Sequence, residues 1–281
     1  MEVIKDVQEM RQWSISFRQN GGSIGFVPTM GFLHEGHVSL LKAARERCDA
    51  LVVSIFVNPT QFGPSEDLSQ YPRDLDRDLT LTREVGADIV FFPDVSQMYP
   101  PGFQTYVQVE ELSRGLCGTD RPTHFRGVAT VVAKLFNQVL PDQAFFGEKD
   151  YQQLAVIKRM AKDLDMGVEV IGCPIVREPD GLAMSSRNVY LNTKGRKAAL
   201  CLRRSIRKAQ ELVRSGNRES SWILQEVTNI IATEPLVQLI YAEIRHPESL
   251  DPLDHIDPRG VLLLAARVEN TRLIDNGYLP E

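Results

Sequence analysis

Several things are scarce in this chain, and each scarcity excludes something. Only four of its 281 residues are cysteine, and Cys48, Cys117, Cys173 and Cys201 show neither a CxxC nor a Cys/His spacing. That argues against a disulfide framework and a zinc site alike, and leaves four reduced structural thiols. Positive charge is not in excess. The formal net charge is −5 and the pI about 5.7, so no broad field exists to neutralise a nucleic-acid backbone, and no nucleic-acid partner is expected. Long apolar runs are missing too. The longest, VLLLAA at 261–266, is far short of the roughly 20 residues of a membrane span. The start MEVIKDVQEM lacks a secretory apolar core. A cytoplasmic protein without a membrane partner is the expectation.

What is present points to one large or two medium globular domains, with 43% apolar and 25% charged residues. Short runs rich in β-branched and aromatic residues recur at 23–29 (SIGFVPT), 50–58 (ALVVSIFVN), 87–93 (ADIVFFP), 143–147 (QAFFG) and 168–176 (VEVIGCPIV). They read as strands. Between them lie segments of helical period, such as Val128, Val131, Leu135 and Val139, or Leu154, Ile157, Ala161 and Leu164. This βαβα order predicts an α/β fold, a Rossmann-like doubly wound parallel sheet covered on both faces. Past about residue 180 the pattern changes to two helical segments, 195–216 and 219–232, followed by the strand-like VQLIYAEIRH and GVLLLAARV. A first domain over 1–176 and a smaller C-terminal α+β domain over 177–281 follow, joined through the REPDG turn.

In doubly wound sheets ligands bind beyond the carboxyl ends of the strands. Those ends carry PTMGFLHEGH, NPTQFG, GEKDYQQ and DGLAMSSRN. His34 and His37 stand three residues apart at the start of a helix, and Gly31 and Gly36 leave room for a ligand near the backbone. Free N–H groups and the dipole at that helix end favour an anion. The turn has the makings of a phosphate cradle, against the plain alternative of a helix cap beside a solvated ring. GxGxxG and Walker A loops are absent.

PTMGFLHEGH is similar to the HIGH-type signature of the nucleotidyltransferase superfamily, and MSSRN at 184–188 resembles its second, triphosphate-closing motif. PTMGFLHEGH, SIFVNPTQFG, YPRDL, RPTHFRGV, FFGEKDYQQL and DGLAMSSRNVYL, in this order, resemble the pantothenate synthetase family, the pantoate–β-alanine ligases, and TRLIDN near the end matches it as well. The resemblance implies an ATP-dependent ligation of pantoate and β-alanine through a pantoyl adenylate. ATP enters as substrate with Mg²⁺, and the protein is expected to be a homodimer. A small dinucleotide-forming adenylyltransferase and a non-catalytic ATP-sensing module are the rival readings; the first leaves NPTQF and GEKDYQQ unused.

The resemblance assigns ATP to Met30, Gly31, Phe32, Leu33, His34, Glu35, Gly36 and His37, to Gly147, Glu148, Lys149 and Asp150, to Val176, and to Met184, Ser185, Ser186 and Arg187. Within that set His37, His34, Lys149 and Arg187 are the catalytic candidates. The family gives His37 a proton-donor role, and the chemistry of imidazole suits an electrostatic donor equally. Lys149 is a point charge and Arg187 a planar fork for phosphate oxygens. Gln61 and Gln153 would hold pantoate, with Gln61 also at β-alanine, since neutral amides serve hydroxyl and carboxylate groups without a buried charge. Gln153 has a competing use in a capping box with Asp150. Asn58 either orients its loop or touches substrate. Cys117 stands where some relatives carry glutamate. Asp78 is a candidate magnesium ligand, although Asp74, Asp76 and Asp78 fit the solvated face of a helix better. Residues 177–281 are expected to act as a lid, because an acyl adenylate must be kept from water.

Overall fold

The computed structural model describes residues 1–64 and 66–279. By internal contacts the chain divides into two units, one of residues 1–148 with 152–174 and one of 149–151 with 175–281. The first unit contains β1 (Glu2–Ile4), α1 (Val7–Gln19), β2 (Ile24–Thr29), α2 (Glu35–Arg45), β3 (Ala50–Ile55), α3 (Leu75–Val85) and β4 (Ile89–Phe91). It continues with α4 (Val95–Met98), α5 (Leu116–Asp120), α6 (His124–Val139), β5 (Gln143–Gly147), most of α7 (Tyr151–Asp163) and β6 (Glu169–Cys173).

These strands form one parallel sheet in the order β1-β4-β3-β2-β5-β6. Alternation along the strands builds its two cores. Phe26, Val52, Ala144 and Phe146 point to the side carrying α6 and α7, where Phe125, Val128, Phe136, Leu154 and Ile157 are buried. Val27, Leu51, Val53 and Phe145 point to the other, against Leu40, Leu41 and Ala44 of α2. Both faces being covered, β3 is buried at every position, as its unbroken apolar run requires. The chain moves outward from β2 through β3 to β4, then returns to place β5 on the other side of β2. That reversal puts a topological switch point between β2 and β5, where such sheets open a crevice at the carboxyl ends.

Two features depart from the sequence reading. The three-residue edge strand β1 pairs with β4 and is too short to show a period. The expected strand 50–58 ends at Ile55, because Pro59 draws the chain into a 3-10 turn over Pro59–Gln61.

The second unit holds α8 (Thr193–Arg214), α9 (Ser220–Ala232), β7 (Val237–Arg245), β8 (Gly260–Val268) and β9 (Thr271–Leu279). The strands make an antiparallel sheet, β7-β8-β9. Its apolar side packs on the helices through Leu202, Ile206, Val227, Leu262, Leu264 and Leu273. β9 is an addition to the sequence reading, since TRLIDNGYL buries the polar Asp275 and Asn276 among its apolar positions. Among the described residues no helix is long and apolar enough to cross a membrane.

Candidate active site

The turn after β2 is built backwards from a buried acid. Gly31 and Phe32 both take left-handed backbone, with φ of 81° and 51°. A Cβ on Gly31 would also meet Asp78 Oδ2 at 2.9 Å and Ile55 Cγ2 at 3.0 Å, so only glycine fits. The N–H groups of Phe32 and Leu33 donate to Oδ2 and Oδ1 of Asp78, each at 2.7 Å, and Gly31 N–H donates to Thr29 Oγ1 at 3.1 Å. Asp78 lies 1% exposed in α3. Burial pushes its carboxyl upward, against the two N–H bonds that favour the ion.

This corrects the expected solvated face. Asp76 is exposed and Asp74 is the N-cap of α3, accepting from Arg77 N–H. Asp78 and Thr82, one turn apart, lie buried instead, and α3 packs beside α2. The segment is helical as expected, but its polar residues occupy two sides of the helix rather than one.

The next residues start α2, and both histidines cap it. His34 is the N-cap, with φ −137° and ψ 175°. Its Nδ1 accepts from Gly36 N–H (3.1 Å), while Nδ1 of His37, the third helical residue, accepts from His34 N–H (3.3 Å). The rings sit 4.1 Å apart between centroids. An Nδ1 that accepts carries no proton, so each neutral ring holds its proton on Nε2 and presents that atom as a donor. The helix cap and the donor pair are therefore one construction, which a sequence can only offer as alternatives. The backbone also proves less available than its position suggests. The N–H groups of residues 31, 32, 33, 34 and 36 all have partners within the protein, so donors to a bound anion must come chiefly from side chains.

Gln61 is held from several directions. Its Oε1 accepts from Asn58 Nδ2 at 3.1 Å, and its Nε2 lies 3.1 Å from Met30 Sδ, which links it to the histidine turn. Its backbone carbonyl meets a ring nitrogen of His124 at 2.9 Å and accepts from Arg121 at 3.2 Å. Arg121 in turn pairs with Glu66. A Cβ on Gly127 would stand 2.4 Å from Thr60 O and 2.7 Å from Gln61 Cα, so α6 needs glycine there for this loop to lie against it. RPTHFRGV thus braces Gln61 through Arg121, His124 and Gly127. Asn58 is buried and faces its own loop, where it also donates to Gly127 O at 3.1 Å and accepts from Tyr99 OH at 2.8 Å.

At the end of β5, Gly147 and Glu148 lie beside the switch point in the first unit. Gln152 is structural, accepting from Cys117 N–H and donating to Leu112 O, both at 3.0 Å. Gln153 is half-buried, and its side chain makes no hydrogen bond among the described residues. The capping box with Asp150 is not formed; the Asp150 carboxylate lies 4.0 Å from Lys149 Nζ.

The remaining candidates belong to the second unit. Lys149 O accepts from Asn276 Nδ2 at 2.9 Å, and Tyr151 OH donates to Pro247 O. Asp275, next to Asn276, binds Arg177 through two oxygens at 2.7 and 2.8 Å. TRLIDN therefore secures both Lys149 and the start of the DGLAMSSRN loop. Within that loop Arg177 bridges Ala183, and Met184 N–H donates to Val176 O. Ser185 caps a short 3-10 turn over Ser186–Tyr190 by accepting from Arg187 N–H. Val176 and Met184 to Arg187 are thereby grouped, with Lys149 fixed one residue from the Arg177 clamp. The sequence reading missed Asp78, Arg121, His124, Tyr99 and Asp275 as supports. The quoted family motifs contain all of these except Asp78 and Tyr99. All four cysteines are buried thiols, and among the described residues no group of three or more His, Cys, Asp or Glu could hold a metal ion.

The family model described as pantoate-β-alanine ligase matches residues 2–278. A pantothenate synthetase of Pelotomaculum thermopropionicum is 57% identical over 279 residues, 99% of each chain. The crystal structure of pantothenate synthetase from Thermus thermophilus superposes with a TM-score of 0.95 at 45% identity, covering 100% of both chains. A pantoate-β-alanine ligase from Francisella tularensis, crystallised with β-γ ATP and β-alanine, gives 0.81 at 34% identity over 99% of this chain and 97% of that one.

Proposed function

The chain belongs to the pantoate–β-alanine ligase family, and from that premise we propose that it joins pantoate to β-alanine in two half-reactions. First, a pantoate carboxylate oxygen attacks the α-phosphorus of ATP. The bond to the β-phosphate breaks, and pyrophosphate leaves with the electron pair. Second, the β-alanine nitrogen attacks the carbonyl of the pantoyl adenylate, AMP leaves, and the new amide loses a proton.

The physical obstacle is charge. A carboxylate must approach a polyphosphate, and the transition state loads further charge on the phosphate oxygens, so preorganised donors should supply most of the rate. The observation that carries this reading is the imidazole pair, whose Nδ1 atoms are committed to the backbone and whose Nε2–H groups are the donors. His34 and His37 would donate to the phosphates, with His37 toward the departing pyrophosphate. Lys149, Arg187, Ser185 and Ser186 would close on the same oxygens, and residues 30–37, 147–150, Val176 and Met184 would line the nucleotide. Gln61 and Gln153 would grip pantoate, and Gln61 would also meet β-alanine.

Magnesium would arrive on the ATP phosphates, neutralise part of their charge and keep most of its waters. The donor set fits that mode: among the described residues no carboxylate cluster stands ready to hold the ion alone. A cytoplasmic homodimer completes the reading, and a solution mass near twice 31.7 kDa by light scattering checks it.

His37→Ala, Lys149→Ala and Arg187→Ala should each slow adenylate formation by roughly 100-fold or more, about 3 kcal/mol of lost transition-state stabilisation. Circular dichroism should show the fold intact. Near-normal turnover in all three would contradict the phosphate-clamp assignment.

A further inference from the structure

Successive backbone N–H groups in a tight turn form a concavity that binds anions. The turn after β2 makes one from Phe32 and Leu33, but the anion in it is the protein's own: the Asp78 carboxylate, one oxygen to each amide at 2.7 Å. The fit is close. Gly31 leaves no room for a Cβ against Asp78 Oδ2, and the Arg77 guanidinium, from the same helix, stands 5.3 Å from the Phe32 ring centroid. A packing role alone would favour an apolar side chain, since a buried carboxylate must be compensated bond for bond. Here the compensation comes from the two amides immediately before His34, the N-cap residue whose ring holds the start of α2.

We propose that Asp78 is the positioning residue of the histidine turn. It fills the amide concavity, so the turn does not take up a phosphate through its backbone, and it fixes the turn so that the His34 and His37 rings keep the Nδ1-to-backbone bonds that present Nε2–H to the substrate. The second half of this statement rests on the phosphate role proposed above for the two histidines.

The direct test is Asp78→Asn, which keeps the shape but turns one amide hydrogen against a backbone N–H. Misplacing reacting groups by about 1 Å can cost on the order of 100-fold. The initial rate of adenylate formation should fall by that order, while the KM for β-alanine and the Mg²⁺ concentration dependence stay unchanged. Ring ¹⁵N spectra should show the His34 and His37 rings fixed with the proton on Nε2 in the parent protein and mixed in the variant, while His246, whose Nδ1 also accepts from backbone N–H groups, stays unchanged. Combined with His34→Ala and His37→Ala together, the substitution should add little further loss, because Asp78 acts through those two rings.

A folded Asp78→Asn protein with parental rate and parental ring spectra would overturn the proposal. So would a loss that extra Mg²⁺ restores, which would make Asp78 a metal ligand, or one that multiplies fully with the paired His34→Ala and His37→Ala substitutions. If His37→Ala itself leaves the rate unchanged, the phosphate reading fails, while the ring spectra still decide whether Asp78 positions the turn. Should the asparagine variant not fold, Asp78→Glu keeps the charge and displaces it by one methylene. A parental rate in that protein would equally overturn the assignment.

Discussion

Asn58 and Gln61 divide one task between them. Asn58 has an acceptor-only carbonyl, that of Gly127, on its nitrogen side and the donors Thr60 N–H and Tyr99 OH on its oxygen side, so its amide has a single sensible orientation. Through Asn58 Nδ2 the Gln61 Oε1 is occupied, and Gln61 is left to offer Nε2–H. A donor there suits the carboxylate and hydroxyl oxygens of pantoate. Gln61→Ala is accordingly expected to raise the KM for pantoate by roughly 10-fold or more, the worth of a hydrogen bond to a charged group, with a much smaller change for ATP. Steady-state kinetics with each substrate varied in turn checks this, and equal losses for both would count against the role. The sequence leaves Asn58 between two uses because its partner Gly127 lies 69 residues away. It misplaces Asp78 for the same reason, since the amides that need it are 45 and 46 residues distant. The histidines are legible as a pair, yet their double use as cap and donor depends on which ring nitrogen faces the backbone, a matter of rotamer and not of residue type.

At the scale of elements, the DGLAMSSRN loop shows how much of a binding segment is scaffolding. Arg196, in the first turn of α8, reaches back to Glu178 at 2.6 Å and Asp180 at 2.7 Å. Its hydrogen bond holds the Glu178 carboxyl below its ordinary value of 4.5, against the opposing effect of burial. A carboxyl lowered on folding contributes stability that is present above its unfolded value and lost as pH falls through the folded one. Arg196→Ala should therefore lower Tm at pH 7, and the gap from the parent should narrow as pH falls below 4.5 and the carboxyl protonates. An undiminished gap in that acid range, measured by thermal unfolding, would contradict the pairing. Elements with strong periods were legible. β5 matches its predicted bounds, because QAFFG alternates between two buried faces, and α6 follows the spacing of its valines and leucines. α7 stops at Asp163, leaving Leu164 outside it and 52% exposed, although its apolar spacing included that leucine. β1 and β9 were not legible. The former has three residues, and the latter carries buried polar groups that serve Arg177 and Lys149 rather than the core.

For the whole molecule, the sequence pattern and the structure agree on a parallel α/β sheet and a smaller helix-and-antiparallel-sheet unit. The order of strands, with its reversal between β2 and β5, is what gives the histidine turn its place beside the end of β5. The periods alone predict a parallel sheet but leave its strand order open, and that order decides which strand ends become neighbours. The candidate residues fall in both units, and family membership over residues 2–278 covers both as well. The central claim is that this chain activates pantoate as an adenylate before the amine enters. Exchange of labelled pyrophosphate into ATP, with Mg²⁺ present and β-alanine withheld, tests it most directly. Exchange should appear only when pantoate is added. Folded, ATP-binding protein that shows no exchange with pantoate, or that exchanges equally without it, would contradict the mechanism.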